Sequence, residues 1–93
     1  MSKNRVRYVV RYTGHVQGVG FRMTAVQQAG GLDVHGFVRN ESDGSVTMDA
    51  EASAADLKEL MRRIDTAMSG RIDDVLVDER PPKNRQDGFR VDY

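Results

Sequence analysis

Along these 93 residues the spacing of apolar side chains switches repeatedly between two and about 3.6 residues, and few folds accommodate that order. From Val6 to Tyr12, Val6, Tyr8, Val10 and Tyr12 alternate with Arg7 and Arg11, continuing from Arg5. Period two with β-branched and aromatic residues predicts a strand whose arginine side is solvated. A glycine-rich loop follows, and then Phe21, Ala25, Val26, Ala29 and Leu32 recur at helical spacing, with Gly30-Gly31 as the stop. Val34 to Arg39 and Ser45 to Glu51 read as two strands joined by the turn Asn40-Glu41-Ser42-Asp43-Gly44. Ser53 is a good helix N-cap with Asp56 in a capping-box-like place. Leu57, Leu60, Met61, Ile64 and Met68 then form one apolar stripe, which Gly70 ends. Ile72 to Asp78 is a weaker strand, interrupted by Asp73 and Asp74, and Pro81-Pro82 closes it. Phe89, Val91 and Tyr93 alternate as a short final strand.

The order is therefore β-α-β-β-α-β with an extra terminal strand. Each helix has one stripe to bury and each strand one face. Stacking both helices on one side of an antiparallel sheet satisfies all of them. The expectation is an α+β chain with the ferredoxin-like α/β sandwich fold, with residues 1–93 as a single domain.

Composition narrows the function. Fourteen basic and 14 acidic side chains cancel, whereas a protein built for nucleic-acid phosphates usually carries a basic surplus. Any bound anion is expected to be small and held at one local site. Cysteine is absent, which excludes disulfides and thiolate chemistry and fits a reducing cytosol. The first apolar stretch, Tyr8-Val9-Val10, is broken by Arg11, too short for a signal peptide or a membrane helix. A cytoplasmic monomer with no membrane partner is the default expectation. His15 and His35 are isolated in sequence, with no carboxylates arranged for a metal site, so no metal or cofactor is expected. His35 reads as a surface or edge histidine.

Gly14-His15-Val16-Gln17-Gly18-Val19-Gly20 places three glycines in seven positions between a strand and a helix. Glycines let backbone N–H groups converge on an anion, and the helix start adds unpaired N–H groups and partial positive charge. Many such loops contain glycine only to turn. Arg22 directly afterwards opposes the helix dipole unless it shares an anion with the helix start, and its planar fork matches phosphate oxygens.

The stretch from Gly14 to Arg22, including Phe21, resembles the first signature of the acylphosphatase family. Gly36-Phe37-Val38-Arg39-Asn40-Glu41-Ser42-Asp43-Gly44-Ser45-Val46 resembles the second. Both stand in the family's order and spacing, and the element order resembles the whole family domain. The resemblance implies metal-free hydrolysis of acyl phosphates to a carboxylate and inorganic phosphate. Arg22 would bind the phosphate together with backbone amides of His15, Val16, Gln17, Gly18, Val19, Gly20 and Phe21. Asn40 would hold the attacking water. The family position of His15 is not essential through its side chain, so that side chain is expected to face solvent. Tyr12 stands where an aliphatic residue is more usual, Ala52 where glycine is, and Glu41 brings a negative charge next to Asn40.

Two other classes stay open. One is a module that binds acyl or carbamoyl phosphate without significant turnover, like the acylphosphatase-like domain of some hydrogenase-maturation proteins. The other is an RNA-binding ferredoxin-like domain, which would need exposed aromatics and a basic surplus on the sheet. Three tyrosines and zero net charge give it weak support.

Overall fold

The computed structural model describes residues 4–93. Its elements are β1 (Val6–Gly14), α1 (Phe21–Gln28), β2 (His35–Asn40), β3 (Val46–Ala52), α2 (Ala54–Ala67), β4 (Ile72–Arg80) and β5 (Phe89–Asp92). The strands form one sheet in the order β4-β1-β3-β2-β5. Val10 and Tyr12 of β1, Val38 of β2, and Val46, Met48 and Ala50 of β3 bury one face of it against Phe21 and Ala25 of α1 and Leu57, Leu60 and Ile64 of α2. This is the expected ferredoxin-like sandwich, with both helices packed into one core.

Local chemistry sets the boundaries. Ser53 Oγ accepts the Asp56 N–H at 3.2 Å and starts α2, as its sequence position predicts. Gly36 takes φ 140, and a Cβ there would collide with the Asp49 carbonyl across the β2–β3 pair. Ala52 is buried at the end of β3, opposite Val6, so its methyl group is part of the packing.

The second face of the sheet departs from the expectation of a wet surface. β3 is buried on both sides: Asp49 and Glu51 point away from the helices, yet are 6% and 0% exposed. Arg7 grips Asp49 with both ends of its guanidinium, at 2.9 and 2.7 Å, and Arg85 reaches the same carboxylate at 2.7 Å. Glu51 accepts the backbone N–H groups of Lys83 and Asn84 at 3.2 and 2.9 Å, with Arg5 3.6 Å away. Arg5 and Arg7 are thus ion-pair partners under a cover, not solvated side chains. Arg11 is the exposed one, paired with Asp43.

The cover is the segment 81–88, which crosses this face from β4 at one edge to β5 at the other. Crossing over brings β5 in parallel to β2, so the sheet is mixed rather than wholly antiparallel. His35 belongs to this arrangement. Its Nδ1 accepts the Gly88 N–H at 2.9 Å, and β2 lies between two strands, so it is neither a surface nor an edge histidine.

Two expectations follow. The Tyr12 hydroxyl is buried with no hydrogen-bond partner, and burial pushes its pKa well above the ordinary tyrosine value. Tyr12→Phe removes an unpaired polar group without leaving a hole, so it is expected to raise stability by about 1 kcal/mol, read as a higher urea midpoint. For Asp49, burial pushes the carboxyl pKa up, but hydrogen bonds and charge from Arg7 and Arg85 outweigh it and hold the value at about 2. The folded value lies below the unfolded one of about 3.9, so this carboxylate stabilises the fold above pH ~4 and the contribution is lost as pH falls towards 2. Urea titrations between pH 5 and pH 2 are expected to show Asp49→Asn less stable at pH 5. Its further loss on acidification should be smaller than that of the parent protein by on the order of 2 kcal/mol.

Candidate active site

The loop between β1 and α1 is pinned before it can bind anything. Val16 and Phe21 are 1% and 2% exposed and insert into the core. The Phe21 ring packs on Tyr12 with centroids 4.9 Å apart and planes tilted by 54°. The His15 N–H donates to the Arg71 carbonyl at 2.8 Å. Gln17 turns its side-chain amide toward the β2–β3 hairpin, where Nε2 donates to the carbonyls of Glu41 and Ser45 at 2.7 and 2.9 Å. One glutamine thereby ties the glycine-rich loop to the hairpin that follows Asn40.

Gly20 converts loop into helix with φ 75 and ψ 22, the left-handed region that glycine enters without strain. No side chain caps the helix, and the Thr24 N–H donates to the Gly20 carbonyl at 2.9 Å. The N–H groups of Phe21, Arg22 and Met23 precede that bond and have no partner within the helix. No acidic side chain lies in this first turn to answer the dipole.

In front of this helix start lies a cleft of about 160 Å³, lined by Val16, Gly18, Gly20, Phe21, Arg22, Met23, Asn40, Val91 and Tyr93. Arg22 is the one charged side chain among them. Its Nη1 donates to the Asp92 carbonyl at 3.1 Å, and its Cζ lies 5.0 Å from the centre of the Tyr93 ring. Among the described residues it forms no ion pair with a carboxylate. The remaining donors of its fork are available to a ligand. Asn40 ends β2 on the same side as buried Val38, two residues earlier, and so faces the helices. Its Oδ1 is buried and has no hydrogen-bond partner. A lone acceptor and an uncompensated cation thus line one small cleft, beside a helix N-terminus.

The acylphosphatase family model matches residues 8–91. This chain belongs to the acylphosphatase family. An acylphosphatase of Salinibacter ruber is 43% identical over 86 residues, covering 91% of this chain and 90% of that protein. One of Paenarthrobacter aurescens is 37% identical over 92 residues, 98% of each. The crystal structure of acylphosphatase from Bacillus subtilis has a TM-score of 0.85 to this chain at 27% identity, covering 95% of this chain and 99% of that one.

In this acylphosphatase-family chain, Val16, Gly18, Gly20, Phe21, Arg22 and Asn40 of the sequence-predicted site meet around the cleft. His15, Gln17 and Val19 do not line it: His15 is exposed, with its amide engaged by Arg71, and Val19 leans on the core. Glu41 lies one residue beyond Asn40, so the pleat turns it toward the opposite face. There its carboxylate is bound by Arg39 at 3.2 Å. Hydrogen bonding to Thr47 and then Arg39 lowers its pKa. The structure adds Met23, Val91 and Tyr93 to the cleft. Met23 lies off the apolar stripe of its helix, and nothing in the pattern of β5 marks its end as a neighbour of α1.

Losing the Gln17 amide is expected to loosen the loop against the hairpin. Gln17→Ala should lower stability by about 2 kcal/mol, at about 1 kcal/mol for each lost hydrogen bond. It should also weaken inorganic phosphate binding several-fold by calorimetry. Glu41→Gln, on the other face, should leave phosphate affinity within about twofold, as surface ion pairs contribute little.

Proposed function

We propose that this chain hydrolyses acyl phosphates to a carboxylate and inorganic phosphate, with Arg22 and Asn40 as its catalytic residues. The observation that carries the reading is the pairing of the unpartnered Asn40 Oδ1 with the uncompensated Arg22 guanidinium in one cleft. Membership of the acylphosphatase family supports the reaction class.

Phosphoryl transfer asks little covalent chemistry of a protein. It needs the reactants aligned and the charge on the equatorial oxygens neutralised. Arg22 and the N–H groups at the start of α1, with those of the loop from Val16 to Phe21, supply fixed positive charge to those oxygens. The loop amides available for this exclude that of His15, which is engaged with Arg71. Asn40 Oδ1 accepts a hydrogen bond from a water and holds it in line with the departing carboxylate. The water oxygen forms its bond to phosphorus as the bond from phosphorus to the acyl oxygen breaks. The electron pair leaves on the carboxylate, and the proton from the water passes to a phosphate oxygen. A carboxylate is a good leaving group, so no general acid is required. The pH–rate profile should therefore follow substrate ionisation, without a protein group of pKa near 6–7.

The same reading makes residues 1–93 one acylphosphatase-like unit that acts as a cytoplasmic monomer on a small substrate, without cofactor or nucleic acid. Among the described residues, no helix is long and apolar enough to cross a membrane.

Hydrolysis of benzoyl phosphate in excess EDTA tests the proposal. Arg22→Ala is expected to lower kcat/KM by about 10³-fold, and Asn40→Ala to lower kcat by about 10²-fold or more with phosphate binding retained. Absence of turnover by the folded parent protein, with phosphate still bound, would establish a binding module instead.

A further inference from the structure

Four large apolar side chains stand exposed on the described surface, and two of them flank the cleft: Met23 at 54% and Tyr93 at 92%. The other two, Leu76 and Val77, lie on β4, at the opposite edge of the sheet from β5. Exposure costs an apolar side chain the favourable free energy of burial, and neither residue supports the core. Met23 lies off the buried stripe of α1, and Tyr93 follows the last residue of β5.

Size decides what each part of the cleft can receive. A cavity of roughly 150 Å³ is filled by one benzene molecule. A cleft of about 160 Å³ that already seats a phosphoryl group has no room inside for a large acyl chain. The acyl group must lie at the mouth. The Tyr93 ring holds the Arg22 guanidinium at 5.0 Å, next to the position where the phosphate sits. A methionine adapts its shape to varied apolar groups and makes favourable contacts with aromatic rings. Among the described residues, no charged side chain other than Arg22 lines the cleft to welcome a polar or ionised acyl chain.

We infer that Met23 and Tyr93, with Val91 of the same cleft lining, form the acyl subsite, and that it selects acyl phosphates whose acyl group is apolar, aromatic above all. The inference rests on the acyl phosphate reading of the same cleft. In the bound state the phosphate takes the free donors of Arg22 while the acyl group covers Met23 and the tyrosine ring. The selectivity appears in kcat/KM through KM, because the shelf touches the substrate away from the reacting phosphorus.

The test compares benzoyl phosphate with acetyl phosphate for the parent chain, Met23→Ser and Tyr93→Ala, each first shown to be folded by circular dichroism. The parent chain should prefer benzoyl phosphate by about tenfold or more in kcat/KM, as expected for one apolar group bound in a complementary site. Each substitution should cut that preference by about three- to fivefold, and the two together by more. Met23→Ser is the cleaner variant, since it leaves the contact between Tyr93 and Arg22 in place. Turnover of both substrates with no preference, or a preference unchanged in both variants, would overturn the subsite while leaving the hydrolase reading intact. If neither substrate is turned over, the hydrolase reading fails, and calorimetry with phenylphosphonate and methylphosphonate still decides the subsite. Tighter binding of the phenyl compound that Met23→Ser diminishes would support it, and equal binding would refute it.

Discussion

Two carboxylates buried in the middle strand of the sheet have no place to go but toward the crossing segment. Asp49 and Glu51 are too deeply covered to be left without partners, because an unpaired buried charge costs several kcal/mol. Arg7 answers from β1, and Arg85 and the N–H groups of Lys83 and Asn84 answer from segment 81–88. A buried ion pair adds little net stability over an apolar filling of the same shape. Its effect here is to dictate a path. The segment has few apolar side chains to fix its course, and the carboxylates fix it instead. That course delivers β5 to β2, in parallel, and β5 brings the Asp92 carbonyl against Arg22 and Tyr93 beside it. The arginine of the cleft is thus held through a chain of contacts that begins on the other face of the sheet.

The two-residue pleat then sorts the side chains of β2 and its hairpin. Val38 and Asn40 face the helices, while Arg39 and Glu41 face away, and Asp92 follows Arg39 at 3.9 Å. A slip of one residue in this strand would bring Glu41 to the cleft and remove Asn40 from it. Register is fixed by the buried face, so apolar packing of Val38 on Met48 is also what keeps a carboxylate away from the cleft.

This division explains what could be read from the sequence. The core face, both helices, the Ser53 cap and the strand–loop–helix junction at Gly20 follow from apolar period and local backbone chemistry, and both are written residue by residue. The covered polar face is different. Arg5, Arg7, Asp49 and Glu51 alternate with apolar neighbours as the residues of a wet face do, and the pattern is blind to a cover. The cover itself, Pro81 to Gly88, has the composition of a surface loop. Only the pairing of carboxylates with arginines distant in sequence, 42 residues apart for Arg7 and Asp49, reveals it. Met23, Val91 and Tyr93 escaped for a related reason, since they meet through the parallel placement of β5.

Among the described residues two buried side-chain polar atoms, the Tyr12 hydroxyl and Asn40 Oδ1, lack partners, and their surroundings give them opposite meanings. Tyr12 is packed on Phe21 within the core, and its ring supports the loop without any use for its oxygen. Asn40 lies at the end of a strand, lining a cleft that also exposes a cation and a helix start. The cost of desolvating a polar oxygen is the same kind of cost in both places. At Tyr12 nothing offsets it. At Asn40, in the hydrolysis we propose, a water offsets it on arrival, and the amide, held by β2, reorganises little to receive it. On the reading we propose, an acceptor kept unsatisfied by a rigid strand, in one cleft with a cation kept free of carboxylates, reserves its binding free energy for the ligand.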